Sequence, residues 1–178
     1  MRNDMKKILL TEEQIEKKVT ELAKRITEDY AGKKLLAVVI LKGSFIFAAD
    51  LIRKIDLPVE VDFMVVSSYG SGTETSGIVK IIKDLNESIA EKDVLIIEDI
   101  MDSGVTLSNL VEVLKTRQPS SMEICALLNK PERRKAEVDV KYIGYDIPDE
   151  FIVGYGLDFS EKYRNLPYIG VIKEELYK

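Results

Sequence analysis

The seven residues LLAVVIL, from Leu35 to Leu41, constrain this chain more than any other stretch. An unbroken apolar run of strand length has no polar face to turn to water, so it is expected to be a parallel strand covered on both sides. Its surroundings agree. Upstream, Thr11-Glu12-Glu13-Gln14 is a capping-box pattern, and Ile15, Val19, Leu22, Ile26 and Tyr30 follow at three- and four-residue spacing until Gly32 stops the helix. Downstream, residues 44–55 return to helical spacing before Pro58. Residues 59–66, 77–83, 94–97 and 122–128 read as further strands, and 103–117 as a helix with Leu107, Leu110, Val111 and Leu114 on one face. Strands alternating with helices predict an α/β fold, a mainly parallel twisted sheet flanked by helices. From Val138 onward the β-like pieces KYIGYDI, FIVGYG and YIGVI, punctuated by Gly and Pro, are expected to form a small hood lobe over one end of the sheet, together with the N-terminal segment. With 178 residues and neither repeat nor linker, the chain is expected to be one domain whose core spans about 33–135.

Composition narrows the chemistry. A formal net charge of −5 argues against a general nucleic-acid binder, and no apolar run approaches the length of a membrane span. The first residues lead to a polar helix rather than a signal-peptide core, so the expected setting is cytoplasmic. The single cysteine, Cys125, lies in the apolar run ICALL and reads as a buried, inert thiol. The chain has no histidine. Imidazole-assisted nucleophiles and imidazole zinc sites are thereby excluded, so proton transfer must fall to Asp, Glu, Lys or Tyr, and any metal should be a hard cation on oxygen ligands.

Ligands of open α/β sheets bind beyond the carboxyl ends of the strands, and the richest such junction here is VLIIEDIMDSGVTL, residues 94–107. An apolar strand runs into the carboxylates Glu98 and Asp99. Asp102 follows, and Ser103-Gly104-Val105-Thr106 opens a helix. Backbone amides, two hydroxyls and the positive end of a helix dipole suit a phosphate monoester. Ionised carboxylates, which only accept hydrogen bonds, suit the vicinal hydroxyls of a ribose. Together they describe a ribose 5-phosphate site. Two other glycine-bearing stretches are decoys. Gly72 and Gly77 have Walker spacing, but Ile78 and Val79 replace the required Lys and Ser/Thr, and Thr75 stands where a dinucleotide fingerprint needs its third glycine.

The string ED-x-x-D-S/T-G-x-T after four apolar residues resembles the phosphoribosyl pyrophosphate motif of the type I phosphoribosyltransferases. Nearly the whole chain is similar to one branch of them, the hypoxanthine-guanine phosphoribosyltransferases. On that resemblance LKGS carries the pyrophosphate loop, with Lys42 and Gly43. The segment SSYGSGTETSG, including Ser67, Ser68, Tyr69 and Gly70, is the mobile lid. Lys130 of LLNKPERR reads the exocyclic oxygen of the purine, Phe151 stacks on the base, and the backbone of Ile152 edges it. Asp158 helps to hold a second magnesium and Arg164 reaches pyrophosphate. Some members carry lysine where this chain has Val105. A contact mediated by that lysine is absent here, while the amide cradle does not depend on it.

The resemblance implies Mg²⁺ as cofactor, held by Glu98, Asp99 and Asp158. It also implies phosphoribosyl pyrophosphate with hypoxanthine or guanine as substrates, xanthine being left open by the sequence, IMP or GMP with pyrophosphate as products, and a homodimer or homotetramer. Asp102 is the expected acceptor of the purine proton. The rival reading is a nucleotide-sensing regulator that kept this fold without its catalysis, since fold alone does not decide function.

Overall fold

The computed structural model describes residues 1–68 and 79–177. Strand β1 (Met5–Leu10) leads into helix α1 (Glu12–Asp29). Both hydrogen bonds of the expected capping box are present at its start, Thr11 N to Gln14 Oε1 at 2.9 Å and Gln14 N to Thr11 Oγ1 at 3.2 Å. There follow β2 (Leu35–Leu41), α2 (Phe45–Lys54), β3 (Glu60–Ser68), β4 (Val79–Lys83), β5 (Asp93–Met101), α3 (Val105–Lys115) and β6 (Ser121–Asn129). The short strands β7 (Tyr142–Asp146), β8 (Ile152–Val153) and β9 (Ile169–Ile172) follow, and a 3₁₀ turn (Glu174–Leu176) comes after them.

Six strands form the main sheet in the order β4-β3-β2-β5-β6-β7, parallel except for the antiparallel β3–β4 pair at one edge. The alternation of side chains along β2 shows why its run is apolar throughout. Leu35, Ala37 and Val39 pack with Ile15, Val19 and Leu22 of α1 and Phe47 and Leu51 of α2. Leu36, Val38 and Ile40 face the other way, toward Leu107, Leu110 and Leu114 of α3. Cys125 is fully buried in the first of these layers, and burial pushes its thiol far above the ordinary range, as expected of an inert group.

A second sheet, β1-β9-β8, is antiparallel, with β9 in the middle. It joins the N-terminal segment to FIVGYG and YIGVI, as expected of the hood. KYIGYDI does otherwise. Cys125 to Asn129 pair in parallel with Tyr142 to Asp146, so that piece is the edge strand of the main sheet. The fully buried ring of Tyr142 explains the placement, since it needs the α1 layer on one side and donates its hydroxyl to Asp29 at 2.7 Å. Strand β5 is longer than its apolar residues suggest, pairing with β6 as far as Met101 opposite Asn129.

Candidate active site

The carboxyl end of β5 lies between β2 and β6, where the β2–α2 turn, the β5–α3 turn and the end of β3 converge on a cavity of about 470 Å³. Every residue of the string 98–106 except Val105 lines it, together with Gly43 and Ser67. Because β5 continues through Glu98 and Asp99, the two carboxyls leave a strand, not a loop, on alternate sides. Loss of hydration raises the Glu98 carboxyl well above the ordinary range, and the Asp99 charge beside it adds to the effect. Burial likewise pushes Asp99 up to about 6, against the pull of the Ile100 amide, which donates to it at 2.7 Å, and of the Arg164 charge.

Gly104, the N-cap of α3, has φ of 80°, a left-handed conformation that glycine adopts without strain. A Cβ there would also meet the carbonyl oxygen of Ala136 at 2.6 Å. The segment after Lys130 folds over this turn, with Lys135 N and Ala136 N donating to Ser103 O at 2.9 and 3.1 Å. Thr106 completes the first helical turn within the cavity wall.

Gly43 is glycine for want of space. A Cβ on it would fall 1.7 Å from Asp99 Oδ2, and one on Gly156 would fall 2.0 Å from Gly43 O. The peptide bond between Leu41 and Lys42 is cis. Lys42 is exposed and pairs with Glu161 at 3.1 Å. Arg164 pairs with Asp158 at 2.9 Å and Glu161 at 3.2 Å, and donates to Gly156 O at 2.8 Å. Lys42 thus meets Asp158 and Arg164, more than a hundred residues later in the chain, around Glu161 beside the β2–α2 turn.

A third group lies past the end of β6. Lys130 is 7% exposed. Its backbone N donates to Met101 O at 2.9 Å, and its ammonium donates to Glu150 O at 2.8 Å and pairs with Asp149 at 3.5 Å. Phe151 follows, 40% exposed, with Tyr177 stacked on it at 4.9 Å between centroids and Phe159 edge-on at 5.6 Å. Ile152 is buried within β8. Arg133 ties this group to the cavity, pairing with Asp102 Oδ1 at 2.7 Å and with Asp149 at 3.3 Å.

Of the expected lid, Ser67 and Ser68 end β3, while Tyr69 and Gly70 lie outside the described residues. Sequence reasoning missed Arg133, Asp149, Glu161 and Tyr177. The first stands three residues after Lys130 in a run of charges, and nothing in the local pattern singles it out.

A family model described as the phosphoribosyl transferase domain matches residues 5–160. A hypoxanthine-guanine phosphoribosyltransferase of Staphylococcus aureus is 57% identical over 177 residues, covering 99% of both chains. The chain belongs to the hypoxanthine-guanine phosphoribosyltransferases. A crystal structure of a hypoxanthine phosphoribosyltransferase from Staphylococcus aureus superposes with a TM-score of 0.98 at 57% identity, covering 100% of this chain and 97% of that one. A Trypanosoma cruzi hypoxanthine phosphoribosyltransferase, a mutant in a ternary complex with substrates, does so with a TM-score of 0.94 at 40% identity, over 99% and 100%. This family membership reaches beyond the shared phosphoribosyl motif, because both relatives match along the hood as well as the sheet.

Proposed function

We propose that this phosphoribosyltransferase carries out purine salvage, moving the 5-phosphoribosyl group of phosphoribosyl pyrophosphate onto hypoxanthine or guanine to give IMP or GMP and pyrophosphate. The observation that carries this reading is the convergence on one cleft of a phosphate-type turn and a carboxylate pair, with a buried lysine past the neighbouring strand end, linked to the cleft through Arg133 and Asp102. Amides and hydroxyls of residues 103–106 take the 5′-phosphate, and Glu98 and Asp99 accept from the ribose hydroxyls. Lys42 and Arg164 take the pyrophosphate. Lys130, whose ammonium donates to Glu150 O and pairs with Asp149, gives a remaining donor to the purine oxygen. A donor-only group there accepts oxopurines and opposes the amino group of adenine, whereas hypoxanthine, guanine and xanthine differ only at ring position 2.

As the bond from the anomeric carbon to pyrophosphate breaks, its electron pair leaves with pyrophosphate. Nitrogen 9 of the purine supplies the new pair, and Asp102 receives the proton lost from nitrogen 7. Phe151 holds the base by stacking.

The donor set fits magnesium: Glu98, Asp99 and Asp158 offer only oxygen, and the raised Glu98–Asp99 pair is a buried acid pair that a hard cation would restore to its ionised form. Among the described residues no cluster of three such side chains forms. The ion would offset negative charge on the departing pyrophosphate.

A homodimer or homotetramer accords with the apolar Val61, Phe63 and Ile82 exposed on β3 and β4. No helix among the described residues is long and apolar enough to cross a membrane.

The test is an ultraviolet absorbance assay with phosphoribosyl pyrophosphate, magnesium and each of hypoxanthine, guanine, xanthine and adenine. Turnover with hypoxanthine or guanine and none with adenine is expected. Folded protein that binds phosphoribosyl pyrophosphate yet turns over no base would overturn the reading in favour of a regulator.

A further inference from the structure

The carboxyl of Asp102 is unevenly placed. Its Oδ1 is shut off from solvent, yet the side chain as a whole is 44% exposed, so the open oxygen is Oδ2. Oδ1 is also the atom that Arg133 Nε approaches at 2.7 Å, a charge pairing without hydrogen-bond geometry that leaves this buried oxygen with no hydrogen-bond partner of its own. Asp102 lines the cavity and Arg133 does not. One oxygen is therefore held from behind by a cation, and the other is left facing the space where a base would lie.

Arg133 is itself fixed at its far end. Its Nη1 donates to Asp149 Oδ1 at 3.3 Å, and the same oxygen stands 3.5 Å from the Lys130 ammonium. Asp102, Arg133, Asp149 and Lys130 thus form a line of alternating charge that runs from the proposed proton acceptor to the group proposed to read the purine. The short 3₁₀ turn Pro131–Arg133 gives the line its geometry, because it starts directly after Lys130 and brings Arg133 back toward the β5–α3 turn.

We infer that Arg133 is a positioning residue for proton transfer: it pins Oδ1 of Asp102, so that Oδ2 alone is presented to the purine, in register with the lysine that holds the base at its other edge. The inference rests on Asp102 being the proton acceptor. A carboxylate freed of this pairing can rotate and offer either oxygen, or neither, in the line of transfer. Misplacement of about an ångström in a reacting group costs up to roughly 10²-fold in rate. Arg133 is half-exposed and belongs to neither hydrophobic layer of the main sheet, so its replacement should not unfold the protein.

The experiment is a double-mutant cycle on the purified enzyme with hypoxanthine, reading kcat and both KM values for R133M, D102N and the pair. R133M should lower kcat by about 10- to 100-fold while leaving KM for phosphoribosyl pyrophosphate within about twofold. In the D102N background it should cost less than about threefold, because there is no longer a carboxylate to orient. R133K, which keeps a cation within reach of Oδ1, should recover part of the lost kcat. Wild-type kcat in R133M, or an equal loss in both backgrounds, would refute the positioning role while leaving Asp102 as the base. Wild-type kcat in D102N would instead remove the reading on which the inference stands.

Discussion

Replacing Gly43 by alanine isolates the contact between the pyrophosphate-loop segment and the carboxylate pair. The added methyl would sit 1.7 Å from Asp99 Oδ2 and 2.8 Å from its Cγ. Ordinary contact begins above about 3 Å, so the carboxyl must retreat by more than about one ångström. Its room is limited, because Oδ1 already accepts from Ile100 N at 2.7 Å. The Gly43 carbonyl in turn is pressed against Gly156, where a Cβ would lie 2.0 Å away, so the loop cannot simply back off. A displacement of that size in a substrate-holding carboxylate corresponds to roughly 10²-fold in kcat/KM, or about 2.7 kcal/mol. The loss should fall on phosphoribosyl pyrophosphate, with KM for hypoxanthine changing less than about threefold. Initial rates by absorbance, with each substrate varied in turn, separate the two, and a thermal melt followed by circular dichroism reports the overpacking cost of about 1–3 kcal/mol. In a D99A background the methyl has nothing to strike, and G43A should cost little more. Wild-type kcat/KM in G43A, or an undiminished loss in the D99A background, would refute the steric argument.

Other residues make sharper or smaller demands. D102N should bind IMP nearly as well as the parent while turnover falls by roughly 10²–10⁴, read by calorimetry and single-turnover kinetics. K130M removes a charged donor worth about 1.5–3 kcal/mol, so KM for hypoxanthine should rise about 10- to 100-fold and KM for phosphoribosyl pyrophosphate should hold. Tyr177 packs with the hood cluster of Val153 and Ile172, and its ring stacks on Phe151. Y177A should raise KM for the purine by about 2- to 10-fold, with Y177F near the parent. Asp84 takes both Arg117 nitrogens, at 2.7 and 2.8 Å, and that pairing holds its carboxyl below the ordinary value. A depressed carboxyl stabilises the fold above its unfolded pKa and ceases to do so as pH falls through the folded one. D84N should therefore cost up to about 1 kcal/mol in urea unfolding at pH 7, a figure held down by the exposure of the pair, and the difference from the parent should vanish in acid.

The main sheet was legible because its strands are apolar on both faces, and only a doubly covered layer tolerates a segment such as LLAVVIL. The phosphate turn was legible because its residues are contiguous, each doing by position what the next needs. The destination of KYIGYDI was not. A five-residue strand with a glycine in it suits either sheet, and only the long-range fit of Tyr142 between α1 and β6 decides. The reach of β5 was understated for a related reason: polar residues at the end of a strand look like loop until a partner strand accounts for their backbone. Arg133, Asp149 and Glu161 escaped because an ion pair between distant segments leaves no periodic trace. The cramped setting of Gly43 was equally hidden, since the side chain that fills its missing Cβ position comes from Asp99, on another strand.

The place of β9 between β1 and β8 bears on how the protein is made. Met5 must find Ile172, and Lys7 must find Val171, before the small sheet exists, a closure across nearly the full chain. The last strand of the six-stranded sheet ends at residue 146, although Ile152, Tyr155, Ile169 and Val171 later complete the buried layer on one of its faces. On a ribosome the sheet and its phosphate turn can therefore be in place while Phe151 and Arg164 are still unsupported by their neighbours. Contacts of such sequence separation form late. A nucleotide in the surrounding solution would gain its full grip only on finished molecules, so ligand binding would protect mature protein and leave nascent chains to the chaperones.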